Sequence, residues 1–306
     1  MLDTALFLKL FPLYALVALG LVGGRLFDIR SQDVGKILLY FLGPAVIFKG
    51  FYGARGEAML VLPLGVFVLS TLLGLIALWL ATRFWRDGRQ NIAAFTAGTG
   101  NTGYFGIPAC LSLIGPDSFP YVVMFAFGTV AYEVSIGFYM VARSKATVRT
   151  ALLRVVSYPG LHAAWLGLLL NVYGVRLPAY AVETVDFLAG GYSTLGMMIV
   201  GLGLATVKLG RPDIGFTLFA FIFKFAVWPA IIFAFVAADR AVFGLFGATA
   251  HQVLLIQSLV PLAALTVVHA TIRQVHPDAA ALAVGASTVF ALFFLPFGLS
   301  LAARLL

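Results

Sequence analysis

Charged residues are scarce in this sequence, and that scarcity excludes most classes of protein. Asp, Glu, Lys and Arg make up 10% of the 306 residues, whereas a soluble domain usually carries about 25%. Hydrophobic residues make up 62%, so the polar side chains cannot cover the surface of a globule of this size. A soluble enzyme, a disordered chain and a fibrous protein are therefore excluded. The composition predicts an all-α, polytopic membrane protein embedded in a lipid bilayer.

Cysteine is almost absent as well. Cys110 is the one cysteine, which excludes an intrachain disulfide and a cysteine-based metal cluster. The four histidines are scattered, and we expect no metal and no cofactor. The 20 basic residues outnumber the 12 acidic ones, but no long basic run indicates a nucleic-acid partner. In a membrane protein such an excess typically marks the cytoplasmic loops.

Ten apolar segments are long enough to cross a bilayer, which takes roughly 20 residues per helix. We number them spans 1 to 10, and they cover residues 4–24, 34–53, 58–82, 90–114, 119–142, 155–173, 179–206, 213–237, 249–272 and 277–303. Thirteen Lys and Arg residues lie in the odd-numbered connections, against five in the even-numbered connections and at the two ends. This bias places the odd-numbered connections in the cytoplasm. We therefore expect a multi-pass inner-membrane protein with both termini on the non-cytoplasmic side.

The two halves of the chain resemble each other. Pro108 recurs as Pro261 and Gly50 as Gly203, each 153 residues later. The halves are residues 1–150 and 151–306. Because each half holds five spans, an odd number, the second half must insert with the opposite orientation. A 5+5 inverted repeat is the plan of many secondary transporters.

Span 4 contains GTGNTGYFGIP at 98–108, in which four glycines and a proline interrupt the helix. In a helix interior Gly costs about 1 kcal/mol and Pro about 3 kcal/mol. Irregular backbone at membrane depth is tolerated where it is buried in protein or lines a cavity, and the ends of half-helices present partial charges there. The alternative is a glycine-rich packing face, which Asn101 and Pro108 fit poorly.

Span 9 is the counterpart, with QSLVP at 257–261. Both interruptions lie about 18 Å along their spans, near the middle of the bilayer. We predict that the two interrupted helices border a substrate. The predicted substrate-binding residues are Asn101, Thr102, Gly103, Tyr104, Pro108, Ser258 and Pro261.

The stretch GNTGYFGIP at 100–108 resembles the signature of the auxin efflux carrier family, which includes plant PIN carriers and bacterial carriers of malonate- or malate-like acids. KFAVWP at 224–229 and Pro261 extend the resemblance into the second half. The resemblance implies a fold similar to the bile acid:sodium symporters, in which the broken helices of spans 4 and 9 cross. It implies a scaffold of spans 1, 2, 6 and 7 and a moving transport unit of spans 3–5 and 8–10. It also implies an elevator mechanism, an organic-anion substrate and a homodimer formed through the scaffold.

Two charged residues, Glu133 in span 5 and Lys224 in span 8, lie in the middle of spans. A charge at the bilayer centre costs at least ~2.5–3.5 kcal/mol, so the simplest expectation is that the two side chains pair. In plant relatives the lysine matching Lys224 faces an acidic residue of span 3, but here that span has no acid beyond Glu57 at its edge. We hypothesise that Glu133 replaces that partner and couples transport to protons. The alternative is a purely structural ion pair.

Other functions have weaker support in the sequence. Sodium coupling is an alternative to protons, because hydroxyl, amide and carboxylate oxygens lie near both interruptions. A membrane-embedded enzyme would need a nucleophile with a base, a pair of acids or a metal cluster, and the sequence holds no HExxH and no GxSxG motif. A channel would need repeated rings of polar residues along a pore. We therefore expect a transporter and not an enzyme.

Overall fold

The computed structural model describes residues 4–142, 148–205 and 213–305, and all regular structure in these residues is helical. The first half contains α1 (Thr4–Leu26), α2 (Ser31–Ile37), α3 (Gly43–Tyr52), α4 (Glu57–Ala81), α5 (Arg89–Ala97), α6 (Gly106–Leu113), α7 (Phe119–Tyr132) and α8 (Phe138–Ala142). The second half contains α9 (Val148–Ser157), α10 (Pro159–Val172), α11 (Ala179–Ala205), α12 (Ile214–Ile222), α13 (Trp228–Ala238), α14 (Ala248–Ser258), α15 (Leu265–Arg273) and α16 (Pro277–Leu305).

Several of these helices continue into one another through a turn of π-helix. The π-helical turns are Leu38–Leu42, Glu133–Gly137, Phe223–Val227 and Asp239–Phe243. They join α2 to α3, α7 to α8 and α12 to α13, and the last one extends α13. A π-helical turn is rare, and it appears frequently at functional sites.

Seven helical stretches of the described residues are long and apolar enough to cross a membrane. They are Phe7–Leu26, Ser31–Tyr52, Leu60–Ala81, Pro116–Ala142, Ala179–Ala205, Ile214–Phe243 and Pro277–Leu301. The prediction of an all-helical, multi-pass membrane protein is confirmed at this level. The other three predicted spans consist of shorter helices: α5 and α6 in span 4, α10 in span 6, and α14 and α15 in span 9.

The helix of predicted span 6 begins at Pro159, four residues after the approximate start predicted at residue 155. α9 ends at Ser157, and α10 begins at Pro159. Tyr158 between them has extended backbone, with φ −73° and ψ 117°. The ring of a proline disfavours helical backbone at the residue before it, so Pro159 separates the two helices.

Most helix packing falls into two groups of neighbours, which also meet through contact between α3 and α7. α1 packs along α11, and α3 packs along α10 and α11. A Cβ on Gly20 would lie 2.0 Å from the Met198 carbonyl oxygen, and one on Gly201 would lie 1.9 Å from that of Val17. Backbone therefore meets backbone between α1 and α11, as small residues permit in membrane helices. In the other group, α4 packs against α5 and α7, while α16 packs against α12 and α15.

An ionic network joins two connections of the second group. Arg89 Nη1 lies 2.6 Å from Asp213 Oδ2, and Arg89 Nη2 lies 2.8 Å from Asp87 Oδ2. Asp213 also accepts a hydrogen bond of 2.9 Å from the Phe216 N–H, which caps the start of α12. The hydrogen bond from Arg89 is the main reason that the pKa of Asp87 lies below its ordinary value.

Candidate functional site at two interrupted helices

Both predicted interruptions are present, and the two segments touch. α5 ends at Ala97 and α6 begins at Gly106, while α14 ends at Ser258 and α15 begins at Leu265. The residues between them are not helical. The Asn101 N–H donates a 2.8 Å hydrogen bond to the Pro261 carbonyl oxygen. A backbone hydrogen bond thus joins the two halves of the chain, 160 residues apart in sequence.

Glycine is required in the first interruption because other groups come very close to it. A Cβ on Gly98 would lie 2.4 Å from Tyr132 Cζ and 2.5 Å from the Ser70 carbonyl oxygen. One on Gly106 would lie 2.4 Å from Gln257 Nε2. At these two positions the glycines do serve close packing, which was the alternative to a broken helix. The helix is nevertheless interrupted here, so both interpretations apply.

Side chains from other helices satisfy the backbone groups that the interruptions leave free. Trp228 Nε1 donates to the carbonyl oxygen of Ala97, the last residue of α5, at 2.8 Å. Leu262 follows Pro261 directly, and its N–H donates to Ser287 Oγ at 3.1 Å. Unpaired backbone groups at membrane depth are costly, so these partners stabilise the irregular segments.

Two amide side chains at the crossing are buried but incompletely paired. Asn101 is 7% exposed, and its side-chain amide makes no hydrogen bond to a described residue. Gln257 is fully buried; its Nε2 donates to the Thr102 carbonyl oxygen at 3.3 Å, but its Oε1 has no partner among the described residues. Buried polar groups normally find partners, so these amide groups are candidate contacts for a ligand or water.

The remaining predicted binding residues are placed differently from one another. Thr102 Oγ1 lies 2.7 Å from Thr129 Oγ1 of α7. Ser258 is buried and donates its hydroxyl hydrogen to the Leu255 carbonyl of its own helix at 2.7 Å. Pro108 is buried in the first turn of α6, where its missing N–H leaves no helical bond unmade.

Gly103 and Tyr104 lie on the side of the interruption that faces α11. A Cβ on Gly103 would lie 2.6 Å from Tyr192 Oη, and the rings of Tyr104 and Tyr192 have centroids 5.6 Å apart. Gly196 of α11 leaves room for this approach, since a Cβ there would lie 3.2 Å from Tyr104 Cα. These two predicted residues therefore lie between the first interruption and α11.

Glu133 and Lys224 do not pair, which corrects the expectation of an ion pair between them. Glu133 accepts a hydrogen bond from Thr99 Oγ1. Lys224 Nζ lies 3.5 Å from the Gln257 carbonyl oxygen and 5.2 Å from the centroid of the Trp228 ring. Among the described residues, no carboxylate oxygen lies within 4.0 Å of Lys224 Nζ.

The first interruption separates the two charged side chains. Thr99 contacts Glu133, whereas the next residue, Gly100, faces Lys224: a Cβ on Gly100 would lie 2.6 Å from Lys224 Nζ. The ammonium group instead lies beside the carbonyl end of α14, where the helix dipole favours positive charge. Both residues are buried, and both belong to π-helical turns, Glu133–Gly137 and Phe223–Val227.

Three residues at this site were outside the predicted substrate-binding set. Gln257 was expected only as a candidate sodium ligand, Trp228 only as part of the family motif in the second half, and Tyr192 gave no signal. A tyrosine in a glycine-containing apolar helix is common in membrane proteins, so nothing in the pattern singles out Tyr192. The amide of Gln257, immediately before the predicted Ser258, was the available signal.

Several apolar helices of bilayer length, together with buried polar groups at two touching interruptions, define a polytopic membrane transporter. Residues 5–299 match the family model described as "Membrane transport protein". The chain therefore belongs to this family, the auxin efflux carrier family, and the resemblance seen in the sequence is confirmed.

Two archaeal relatives are similar to the chain. An uncharacterised transporter of Methanocaldococcus jannaschii is 25% identical over 282 residues, which cover 88% of this chain and 90% of the relative. An uncharacterised transporter of Methanothermobacter thermautotrophicus is 28% identical over 196 residues, which cover 62% of this chain and 63% of the relative. Both are named as transporters, which agrees with the expectation that the chain is not an enzyme.

Proposed function

We propose that this protein is a secondary active transporter that carries small organic anions, such as carboxylates, across the inner membrane. The observation that carries the proposal is the direct contact between the two interrupted helices, with the unpaired amide of Asn101 buried beside it. A buried, unpaired polar group next to irregular backbone is what a membrane binding site for a polar solute requires. We propose that the residues predicted from the sequence to bind the substrate, including Asn101, contact the anion.

An anion suits the charges around the crossing. Lys224 Nζ supplies a positive charge that no described carboxylate within 4.0 Å neutralises. α6 and α15 both begin at the interruptions, so the positive ends of their helix dipoles lie there, although the N–H groups of Gly106, Ile107, Thr266 and Val267 already donate to carbonyl oxygens of the interruptions. The amide of Asn101 adds N–H donors. A carboxylate would be attracted to the Lys224 ammonium and would accept from the Asn101 amide, whereas a cationic solute would meet the Lys224 ammonium.

The helix contacts support the proposed division into a scaffold and a transport unit. In the proposed layout of ten spans, α1, α3, α10 and α11 belong to the scaffold of spans 1, 2, 6 and 7, and they pack mainly on one another. α4, α5, α7, α12, α15 and α16 belong to the transport unit and pack together likewise. Sliding of one group past the other would expose the site alternately to the two sides. We propose that both termini lie on the non-cytoplasmic side.

We propose that Glu133 couples transport to protons. Its carboxyl is buried and bonded to Thr99 of the interruption, and Lys224 does not neutralise it. Gain or loss of a proton at Glu133 would change that contact, and hence the shape of the first interruption. Glu133→Gln should then carry substrate at a rate that no longer varies with pH. Transport by this variant with the pH dependence of the wild type would contradict proton coupling.

Sodium is the second candidate for the coupling ion. Glu133, Thr99, Thr102 and Thr129 bring side-chain oxygens together between α7 and the first interruption, and oxygens are the ligands that hard cations prefer. Replacement of sodium by choline in the assay buffer separates the two candidates. Flux that stops in choline would favour sodium, and unchanged flux would favour protons.

The transport proposal is tested by flux into proteoliposomes. Radiolabelled benzoate and succinate serve as probes of a mono- and a dicarboxylate, with empty vesicles as the baseline. We expect at least one probe to enter faster with the wild-type protein and to enter at the baseline rate with Asn101→Ala. Wild-type vesicles that take up neither probe above the baseline would overturn the organic-anion assignment.

Asn91→Ala is the matched control for Asn101→Ala. Asn91 lies in the first turn of α5, and its side-chain oxygen also lacks a partner among the described residues. It is ten residues away from Asn101 on the same predicted span. We expect Asn91→Ala to retain wild-type flux and both variants to unfold within a few degrees of the wild type. Equal flux through the Asn101→Ala variant would remove Asn101 from the site.

A further inference from the structure

Two tyrosine side chains meet where the first interruption faces the second half of the chain, and a third tyrosine lies in the connection before α10. They are Tyr104 of the interruption, Tyr158 between α9 and α10, and Tyr192 of α11. The hydroxyl groups of all three make no hydrogen bond to a described residue. A phenol hydroxyl that no protein group engages is able to donate its hydrogen to a ligand.

Tyr192 is the most constrained of the three. It is 9% exposed, and its ring lies against the ring of Tyr104 with centroids 5.6 Å apart. Its hydroxyl lies against the backbone of Gly103, where a Cβ would be 2.6 Å from Oη. The hydroxyl therefore reaches the interruption itself, two residues from Asn101, and it does so because residue 103 has no side chain.

Tyr158 follows a helix that contacts the segment carrying Glu133. α9 contacts the π-helical turn that begins at Glu133, and Tyr158 immediately follows α9. Gly160 and Ile47 border its ring: a Cβ on Gly160 would lie 2.5 Å from Tyr158 Cε1 and 2.6 Å from Ile47 Cδ1.

We propose that Tyr192 and Tyr158 form the second wall of the transport site and donate their hydroxyl hydrogens to oxygen atoms of the bound anion. The inference rests on the proposed function and adds to the site two residues from outside the interrupted helices. A phenol hydroxyl is a good donor to a carboxylate, and among the described residues no acceptor competes for it. The walls therefore come from both groups of helices, with Asn101 on one side and the two tyrosines on the other.

With this arrangement, the affinity for the anion depends on where the interrupted helices lie relative to α11. If the interrupted helices move past α11, the anion leaves the tyrosine hydroxyls while it keeps Asn101 and Lys224. The tyrosines would then hold the anion in the arrangement seen here and release it in another. They are binding residues for that arrangement only, and their loss should raise the KM for uptake more than it changes the maximal rate.

Conservative variants test the inference in the same proteoliposomes, with the carboxylate probe that the wild type carries. Tyr192→Phe removes one oxygen and keeps the ring, so we expect the KM to rise about 10- to 150-fold, the usual effect of a lost hydrogen bond to a charged group. Tyr158→Phe should raise the KM in the same direction. Tyr180→Phe is the matched control, because Tyr180 lies on the same helix, α11, and is largely exposed.

Gly103→Ala provides an independent variant in case Tyr192→Phe unfolds. The added methyl group would push the Tyr192 hydroxyl away from the interruption, and the KM should rise. In the double variant with Tyr192→Phe, the two effects should not add, because both remove the same contact. Thermal unfolding of each variant in detergent shows whether the fold is retained.

The outcomes separate this inference from the proposed function. A KM for Tyr192→Phe equal to that of the wild type and of Tyr180→Phe would overturn the second wall while the transport assignment stands. Fully additive effects of Gly103→Ala and Tyr192→Phe would also overturn it. A wild-type protein that carries neither probe would overturn the transport assignment, and the second wall would fall with it.

Discussion

At the scale of single residues, steric room is the property that the interruption demands. Gly98 has helical backbone, with φ −86° and ψ −1°, so any residue could adopt its conformation. What excludes a side chain there is Tyr132 on one side and the Ser70 carbonyl on the other. The glycine is therefore needed for the approach of α4 and α7 to the interruption and not for an unusual backbone angle.

We predict that Gly98→Ala destabilises the protein by about 1–3 kcal/mol, the usual effect of overpacking a tight site. Gly65→Ala is the matched control: it lies within α4, and a Cβ there would meet no atom within 4 Å. That change should leave stability equal or raise it by up to about 1 kcal/mol, through higher helix propensity. Unfolding of the purified proteins monitored by tryptophan fluorescence measures both. Equal midpoints for the two variants would contradict the steric argument.

Residue chemistry alone predicted that the two interruptions lie together. Asn101 and Pro261 were expected together from helix-breaking residues in the two halves, and the structure joins their backbones. The pairing of Glu133 with Lys224 was wrong, because opposite charges at similar depth give no information on what lies between them. Here the chain at Thr99 and Gly100 lies between them, which no spacing along the sequence could reveal.

At the scale of helices, the ends at the interruptions depend on side chains from elsewhere. The last carbonyl of α5, at Ala97, accepts its hydrogen bond from Trp228 of α13. Trp228→Phe keeps most of the ring and removes this donor, so we expect a loss of about 2–3 kcal/mol from the hydrogen bond and the small cavity. Trp165→Phe, at an exposed tryptophan of α10, should change stability by less than about 0.5 kcal/mol.

Thermal unfolding with an extrinsic thiol-reactive dye as reporter measures both changes, since Cys110 is buried in the folded chain. Intrinsic fluorescence would not serve, because the substitutions remove a tryptophan. If Trp228→Phe unfolds at the same temperature as Trp165→Phe, the indole contributes nothing to the end of α5.

The start of α12 allows a second prediction at this scale. Asp213 caps the helix and also binds Arg89. Asp213→Asn keeps a capping oxygen and loses the ion pair, whereas Asp213→Ala loses both. We expect the alanine variant to be less stable than the asparagine variant by about 1 kcal/mol. Equal stabilities would show that the cap contributes nothing.

The same network has a dependence on pH that can be worked out from Asp87. The pKa of Asp87 is lowered by the hydrogen bond from Arg89, so its contribution to stability is present at neutral pH. It is lost as the pH falls from about 4, the value for the unfolded chain, through the lower value of the folded protein. Arg89→Gln should reduce this acid sensitivity, which unfolding at pH 3 and pH 7 would measure.

The helix interruptions were predictable from the sequence, but the π-helical turns were not. Several Gly residues and a Pro within a span break a helix through their own backbone properties, and α5 ends where that run begins. The π-helical turns at Glu133–Gly137 and Phe223–Val227 contain ordinary helix-compatible residues. Their cause is tertiary packing. The break before Pro159 has a local cause, the proline itself. The prediction of span 6 followed the apolar run and did not take the proline into account.

For the molecule as a whole, the proposed elevator requires α6 to move past α1. The two helices meet where Ser112 Oγ donates to the Lys9 carbonyl oxygen. With Cys110→Ala as background, a short cross-linker between Lys9→Cys and Ser112→Cys should stop flux. A linker between Lys49→Cys and Asp186→Cys, an ion pair within the scaffold at 2.8 Å, should not. Full flux through the first cross-linked pair would contradict the elevator.

The hydrogen bond between Asn101 and Pro261 also bears on how the protein is made. The first interruption is synthesised in the first third of the chain, but its partner follows 160 residues later. Until the ribosome has passed residue 261, the Asn101 N–H lacks the acceptor that it has in the finished fold. The site is thus completed among the last steps of membrane insertion, and nascent chains arrested before that point should be recognised as immature by membrane quality-control proteases.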